Sequence, residues 1–117
     1  MGSSDDRRGA LGGFGERRAA AHYRALGYAV LERNWRCRSG EIDLICARGT
    51  TLVVCEVKTR TGLVHGHPFE AVTVSKQRRL RRLAAAYLWQ QRRHWAAVRF
   101  DVVSVLDGSL EVVEGAF

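Results

Sequence analysis

The sequence predicts an α/β fold in which helices pack against one mixed β-sheet. Two stretches, residues 12–26 and 75–95, repeat apolar side chains at the spacing of an amphipathic helix. Five shorter apolar runs, bounded by glycine or polar residues, have the pattern of β-strands. Their order along the chain is α-β-β-β-α-β-β, and 117 residues are enough for one domain with a single core.

Local signals set the expected bounds of each element. Gly27 is a good residue to end the first helix, and Ser75 is the predicted N-cap of the second. The strands are expected at residues 28–35, 41–47, 51–59, 98–105 and 110–113, with Asp107-Gly108 as the turn between the last two. Residues 59–70 are expected to form a loop. Residues 1–11, rich in glycine, serine and charge, are predicted to be a flexible tail before one domain of residues 12–117.

Composition excludes several classes of protein. A hydrophobic content of 46% with a single proline argues against disorder. No apolar run approaches the roughly 18 residues that a membrane-spanning helix needs. The charged N-terminal residues lead into no apolar segment of the kind found in signal peptides. Three cysteines without a CxxC pair favour a reducing compartment and buried thiols. We therefore expect a cytoplasmic protein with no membrane partner.

Basic charge is concentrated in one segment. The net charge is +7, and no acidic residue lies between Glu70 and Asp101. The basic side chains in that interval are Lys76, Arg78, Arg79, Arg81, Arg82, Arg92, Arg93 and Arg99. Such a block indicates a polyanionic partner, and DNA or RNA is the commonest one. The alternative is a solvated helix face without a ligand.

A predicted hairpin carries the candidate chemistry. The turn Arg48-Gly49-Thr50 would join two apolar strands and place Asp43 opposite Glu56, with Cβ atoms about 5 Å apart. Two carboxylates this close repel each other unless a proton or a cation lies between them. Mg²⁺, or Mn²⁺ in its place, is the expected cation, and the carbonyl oxygen of Val57 could complete its oxygen ligands. Lys58 shares the face of Glu56 and could stabilise the charge that develops when a phosphodiester is cleaved.

Several other side chains are candidates for the same site. Glu16 lies on the inward-facing side of the first helix. There it is expected either to complement the helix dipole or to serve as a third acid of the site. Lys76 lies about 40° from the apolar stripe of the second helix and should face the sheet. Glu41 shares the face of Asp43. It is expected either to bind the metal or a water molecule, or to form a hydrogen bond where the strand begins. Candidates for phosphate contact are Arg60, Lys76, Arg78, Arg81, Arg82 and Arg92.

Some polar and aromatic side chains favour a structural role. Arg99 and Asp101 share a strand face, which favours an internal salt bridge. Trp35 and Trp95 could stack on bases, but core or interface packing is the commoner use of tryptophan.

The chain resembles a known family over nearly its whole length, from about residue 12 to residue 117. The matching segments are Gly12-x-x-Gly15-Glu16, Gly27-Tyr28, Arg33-Asn34-x-Arg36, Gly40-Glu41-Ile42-Asp43-Leu44-Ile45, Glu56-Val57-Lys58-Thr59-Arg60, Glu70-Ala71-Val72, Lys76, Arg99-Phe100-Asp101-Val102-Val103 and Ala116-Phe117. They resemble the YraN-like family of small bacterial proteins. That family is similar to the restriction-endonuclease-like superfamily of PD-(D/E)XK nucleases and, in outline, to Holliday-junction resolvases.

The resemblance implies an α-β-β-β-α-β core and Mg²⁺-dependent cleavage of DNA or RNA. Asp43 matches the first motif acid, Glu56 and Lys58 match the (D/E)XK pair, and Glu16 matches an N-terminal helix acid of resolvase-like members. Two positions depart from the pattern. Ile42 stands where the superfamily label has proline, and Cys55 stands where the family usually has a bulkier apolar residue.

Three functions are compatible with these patterns. The first is a metal-dependent endonuclease that selects substrate structure and not base sequence, since no base-reading element is evident. The second is a non-catalytic nucleic-acid-binding module on the same fold. The third is a protein-interaction domain that docks through its basic helix. A homodimer would suit a junction substrate, but the sequence does not establish one.

Overall fold

The computed structural model describes residues 3–60 and 72–117, with side chains from residue 13 onward except that of Arg60. The described residues form two helices and five strands in the predicted order, which confirms the α/β fold class. The elements are α1 (Ser3–Ala25), β1 (Ala29–Cys37), β2 (Gly40–Arg48), β3 (Thr51–Arg60), α2 (Val74–Gln90), β4 (Ala97–Leu106) and β5 (Ser109–Val113). The predicted loop of residues 59–70 lies almost entirely outside the described residues.

The strands form one sheet whose spatial order, β1-β2-β3-β4-β5, equals their order in the chain. Only β3 and β4 run parallel within the described sheet, and α2 lies in the connection between them. The other pairs are antiparallel. Asp107 and Gly108 have φ values of 48° and 86°, so the predicted two-residue turn joins β4 to β5 with the left-handed backbone that tight hairpins favour.

Each helix covers one face of the sheet. Alternate residues of β3 separate into two apolar layers, because successive side chains of a strand point to opposite faces. Leu52 and Val54 pack in the layer that contains the buried face of α2, whereas Val53 and Cys55 pack in the layer of α1. The sheet is therefore the middle of a three-layer arrangement.

The helix bounds differ from the predicted ones. α1 begins at Ser3, before the predicted start at Gly12, and the flexibility of residues 1–11 stays a prediction. The N-cap of α2 is Thr73 and not Ser75, because the Thr73 hydroxyl accepts a hydrogen bond from the Lys76 N–H at 3.1 Å. α2 ends at Gln90, five residues before the expected Trp95. Neither described helix is long and apolar enough to cross a membrane.

A buried ion pair joins the C-terminal half of the sheet to α1. Asp101 is fully buried, and its carboxylate accepts hydrogen bonds from the Arg99 side chain at 2.9 Å, from the Tyr23 hydroxyl at 2.6 Å and from the Gly115 N–H at 3.0 Å. The salt bridge predicted between Arg99 and Asp101 is confirmed. Its buried charge is acceptable because both carboxylate oxygens have donors.

The cysteines agree with a reduced protein. Cys46 and Cys55 are buried in the layer beneath α1, and Cys37 is partly exposed. All three are free thiols in the structure, and the prediction of buried thiols is confirmed for the first two.

Candidate metal centre

The β2–β3 hairpin has the predicted register. Arg48 pairs with Thr51 across a two-residue turn, and the ladder continues to the pair Leu44–Cys55. Asp43 and Glu56 therefore occupy the next position along the two strands. Here the Asp43 carboxylate reaches across to β3, where its Oδ2 accepts a hydrogen bond from the Val57 N–H at 2.8 Å. This bond fixes the acid at the point where the paired hairpin ends.

Three carboxylates meet at this position. Glu16 of α1 and Glu41 and Asp43 of β2 each offer an oxygen atom, and these atoms lie within 4.8 Å of one another. We call these three residues the acid cluster. Glu16 is only 8% exposed, and its Oε2 receives no hydrogen bond from any described residue. An acid so placed is stable only when it is protonated or paired with a cation.

Two members of the acid cluster, Glu16 and Asp43, have a raised pKa and hold their protons more tightly than free carboxylic acids do. Burial, followed by the charge of Glu56, raises the pKa of Asp43 to about 7. Burial also raises the pKa of Glu16, although a hydrogen bond from Asn34 partly opposes the increase. Near neutral pH Asp43 is therefore poised to exchange its proton for a cation.

Two lysines lie on the α2 side of the same hairpin end. Glu56 follows Leu52 and Val54 in the alternation along β3 and so faces α2. Its Oε1 is 3.1 Å from Nζ of Lys58 and 3.6 Å from Nζ of Lys76. The prediction that Lys76 faces the sheet is confirmed.

The two ammonium groups affect each other. Burial acts to lower the pKa of Lys58, but contact with Lys76 and the charge of Glu56 outweigh it, so that pKa is raised. Contact with Lys58, followed by burial, lowers the pKa of Lys76. Lys58 is thus the more firmly charged of the two.

Close packing of α1 on β3 brings Glu16 to the hairpin. A Cβ atom on Gly15 would lie 1.9 Å from Oγ1 of Thr59, so no larger residue fits there unless the Thr59 side chain rotates or the helix and the strand separate. Glu16 is the next residue, and Thr59 directly follows Lys58. The glycine therefore lets the helix backbone approach the strand closely enough for the acid to reach the sheet end.

The structure brings together most of the predicted site residues. Glu16, Asp43, Glu56, Lys58 and Lys76 converge on the end of the hairpin, approaching it from both faces of the sheet. Glu41, expected either as a ligand or in a hydrogen-bonding role, lies in the acid cluster, and its Oε2 is also 3.4 Å from Nε of Arg36. The metal-binding roles of Asp43, Glu56 and Val57 stay predictions.

Among the described side chains, Arg78, Arg81, Arg82 and Arg92 form no ion pair with the acids of this centre. Arg78, Arg82 and Arg92 are exposed on or just beyond α2. The Arg81 guanidinium lies over the rings of Phe100 and Phe117, at 4.8 and 5.6 Å from their centroids. Arg60 ends β3, and its side chain is outside the described part of the chain.

One neighbour of the acids was not expected from the sequence. Asn34 hydrogen-bonds to Glu16 and has a positive φ of 54° on β1. The segment Arg33-Asn34-x-Arg36 matched the family pattern without a role for Asn34, and its residue type agrees with the positive φ, because asparagine tolerates the left-handed region better than most residues. Trp35, by contrast, packs edge-on against Tyr87 in the core, with ring centroids 5.3 Å apart.

The fold and the arrangement of acids define a small protein of the restriction-endonuclease-like class. The sheet order, the two flanking helices and the acids at the hairpin end all agree with that core.

Comparison with known proteins identifies the family. The model of the family described as "Uncharacterised protein family UPF0102" matches residues 15–105, and the chain belongs to this family, the YraN-like group. A UPF0102 protein of Acidothermus cellulolyticus is 48% identical over 132 aligned positions, covering 100% of both chains. Another, from Rhodococcus opacus, is 51% identical over 113 positions, covering 92% of this chain and 96% of its own. A third, from Frankia casuarinae, is 49% identical with the same coverage.

Proposed function

We propose that the protein is a metal-dependent nuclease that hydrolyses phosphodiester bonds in DNA or RNA and selects its substrate by structure. One observation carries the proposal. Three carboxylates converge within 4.8 Å beside two lysines, and the most constrained acid, Asp43, has a pKa raised to about 7. Mutual repulsion within such an arrangement opposes folding, and the pairing of Glu41 with Arg36 at 3.4 Å offsets only part of it.

The donor set fits a hard divalent cation. All three members of the acid cluster offer carboxylate oxygens, which Mg²⁺ prefers, and the Oε2 of Glu16 lacks a donor among the described residues. Asp43 would be the central ligand, with Glu16 and Glu41 beside it, and Glu56 with the Val57 carbonyl on the other side of the hairpin. When bound, the cation would neutralise charge on the phosphate and acidify a water molecule.

The chain's own residues supply orientation and positive charge. The Val57 N–H holds the Asp43 carboxylate in one position, which limits reorganisation when a substrate binds. Lys58 stays protonated beside Glu56 and can stabilise the negative charge that develops on the phosphate oxygens. Lys76 brings a second ammonium from α2 to the same carboxylate.

The basic segment supports a nucleic-acid substrate. The net charge is +7, and the exposed arginines of α2 would meet phosphates electrostatically, with a strength that falls as salt increases. No acidic residue interrupts this charge between Glu70 and Asp101.

The test is cleavage by purified protein of labelled single-stranded, duplex, flapped and four-way-junction DNA and of RNA, each with Mg²⁺, Mn²⁺ or EDTA. We expect metal-dependent cleavage that falls by at least about 100-fold in Asp43→Asn and in Lys58→Ala, because each removes charge acting on the transition state. Glu114→Gln removes an exposed carboxylate beyond β5 and is the matched control. Undiminished cleavage by both site variants, with contaminating nucleases excluded, would refute the assignment.

A non-catalytic nucleic-acid-binding module is the second candidate, and one observation favours it. Glu56 lies outside the acid cluster of the described residues and is held by two lysines, which already satisfy its charge. Salt-dependent binding in EDTA, without cleavage in either metal, would select this function.

A further inference from the structure

A tryptophan on α2 is almost fully exposed. Trp89, the penultimate residue of the helix, has 90% of its surface accessible, whereas Trp35 and Trp95 pack against the core. Exposure of so large an apolar ring has a free-energy cost in water and commonly marks a binding surface when polar or charged residues surround it.

Two arginines share the helix face of this ring. Arg82 and Arg78 precede Trp89 by seven and eleven residues, so all three lie within an arc of about 40° along about 16 Å of helix. Both arginines are exposed, and neither forms an ion pair with any other residue that the structure describes. We call these three residues the outer stripe of α2. Ala85, small and exposed, lies between them and leaves the stripe open.

The charge of the stripe favours an anionic occupant. A second copy of the chain would bring like-charged arginines together, which opposes self-association through this face. The occupant must therefore carry negative charge for the two arginines and offer a flat apolar surface to Trp89. A nucleic-acid strand does both, since its phosphates pair with guanidinium groups and its bases stack on an indole ring. Bases within a duplex are already stacked on each other and present only their edges.

We propose that the outer stripe of α2 binds an unpaired segment of nucleic acid, with one base stacked on Trp89 and phosphates held by Arg78 and Arg82. The inference rests on the nucleic-acid binding of the proposed function, but it does not require cleavage. It also names a substrate class, namely nucleic acid that contains a single-stranded region.

The stripe is separate from the metal centre. Lys76 and Trp89 are thirteen residues apart, which places them about 140° apart around the helix and about 20 Å apart along it. Lys76 faces the sheet and contacts Glu56. The nucleic-acid segment on the outer stripe is therefore a different part of the substrate from the phosphodiester beside the acids. A flapped or branched nucleic acid could occupy both places at once.

Fluorescence anisotropy with labelled oligothymidine and with a blunt DNA duplex, both in EDTA at one salt concentration, tests the inference without catalysis. We expect Trp89→Ala and Trp89→Leu to weaken oligothymidine binding about tenfold, while Trp89→Phe loses less because it keeps an aromatic face. Duplex affinity should change less than about twofold in all three variants. Leu26→Ala, at another exposed apolar side chain outside α2, is the matched control and should bind as the parent does.

The outcomes are distinguishable. If Trp89→Leu binds oligothymidine as tightly as the parent, or Trp89→Ala weakens both probes equally, stacking is refuted while nucleic-acid binding stands. If sedimentation shows that Trp89→Ala converts a dimer into a monomer, the stripe is a self-association surface and the inference is wrong. If the parent protein binds neither probe, both the outer-stripe proposal and the nucleic-acid part of the proposed function fail.

Discussion

Replacement of Gly15 by alanine should destabilise the protein, although alanine is the better helix former. The added Cβ would lie 1.9 Å from Thr59 Oγ1 and 3.4 Å from Val57 Cγ1. Carbon and oxygen atoms at van der Waals contact are more than 3 Å apart, so the Thr59 side chain must rotate or α1 and β3 must separate. Rotation relieves only part of the overlap, because the Thr59 Cβ does not move with χ1 and would still lie 3.2 Å from the added atom.

The magnitude follows from two opposing terms. Overpacking of this kind costs about 1–3 kcal/mol. The gain in helix propensity from glycine to alanine recovers about 1 kcal/mol. The overpacking cost less the propensity gain leaves a net loss of up to about 2 kcal/mol, and we expect about 1–2 kcal/mol of unfolding free energy. For a domain of this size that loss lowers Tm by about 4–8 °C.

Gly13→Ala provides the matched control within the same helix. Among the described side chains, a Cβ there would meet the mobile Nη1 end of Arg17, at 3.3 Å, so the propensity gain should prevail and raise Tm by about 2–4 °C. Thermal unfolding of both variants, followed by circular dichroism, gives the two signs. In a double-mutant cycle with Thr59→Ala, removal of Oγ1 should restore at least half of the stability lost at Gly15. A Gly15→Ala protein as stable as the parent would refute the close approach of α1 to β3.

Three further predictions concern charge, a buried hydrogen bond and thiols. The pKa of Asp43 is raised to about 7, above its unfolded value near 4, so the metal-free fold binds the extra proton between these values and loses stability as pH increases through them. Asp43→Asn should therefore match the parent at pH 4 and be several degrees more stable at pH 8, as measured by calorimetry in EDTA. Tyr23→Phe removes the 2.6 Å hydrogen bond to buried Asp101 and should lower the unfolding free energy in urea by about 1.5–3 kcal/mol. In the native protein, Ellman's reagent should label Cys37 rapidly and the other two cysteines only after unfolding.

Each of these predictions has an outcome that would contradict it. Equal pH dependence in Asp43→Asn and the parent would mean that the carboxyl group is not buried among like charges. A loss below about 0.5 kcal/mol in Tyr23→Phe, with an unchanged denaturant slope, would show that the Arg99 and Gly115 donors alone satisfy the carboxylate. Rapid labelling of three thiols in the folded protein would place a second or third cysteine at the surface.

The hairpin of the centre could be predicted because its signals are local. A glycine in a two-residue turn between two apolar strands fixes the register, and the register fixes the positions of Asp43 and Glu56. The inward direction of Lys76 followed from helical geometry alone, with no knowledge of the sheet. The resemblance to a known family supplied the restriction-endonuclease-like class.

The remaining features depend on tertiary packing. Thr73 and Ser75 are both residue types that cap helices. The helix begins at Val74 in the structure, and this start makes Thr73 the N-cap. Trp95 continues the apolar periodicity of α2, yet it reaches the core from the segment beyond the helix end. The exposure of Trp89, for which no prediction was made, also follows from helical geometry, because Trp89 lies nine residues after Leu80 and so on the opposite face of α2.

The acid cluster was only partly predictable. Helical periodicity turned Glu16 inward, but its distance from β2 depends on the close contact at Gly15, which no sequence pattern measures. Ile42 and Leu44 also pack on opposite faces of the sheet, although two strand residues two apart should share a face. This local irregularity surrounds Asp43 and determines which neighbours its carboxylate meets.

The parallel pairing of β3 with β4 has a consequence for how the chain reaches its native state. β1, β2 and β3 are joined by tight turns, so they can associate through contacts that are local in the chain. β4 must instead find β3 across a long connection, as in the pair Thr51–Ala97, and closing that loop is entropically costly. The carboxylates belong to the early segment, whereas Lys76 arrives with the late one. Until α2 docks, Glu56 therefore has Lys58 alone as its cationic partner among the described residues, and the centre gains its second ammonium only with the long-range closure.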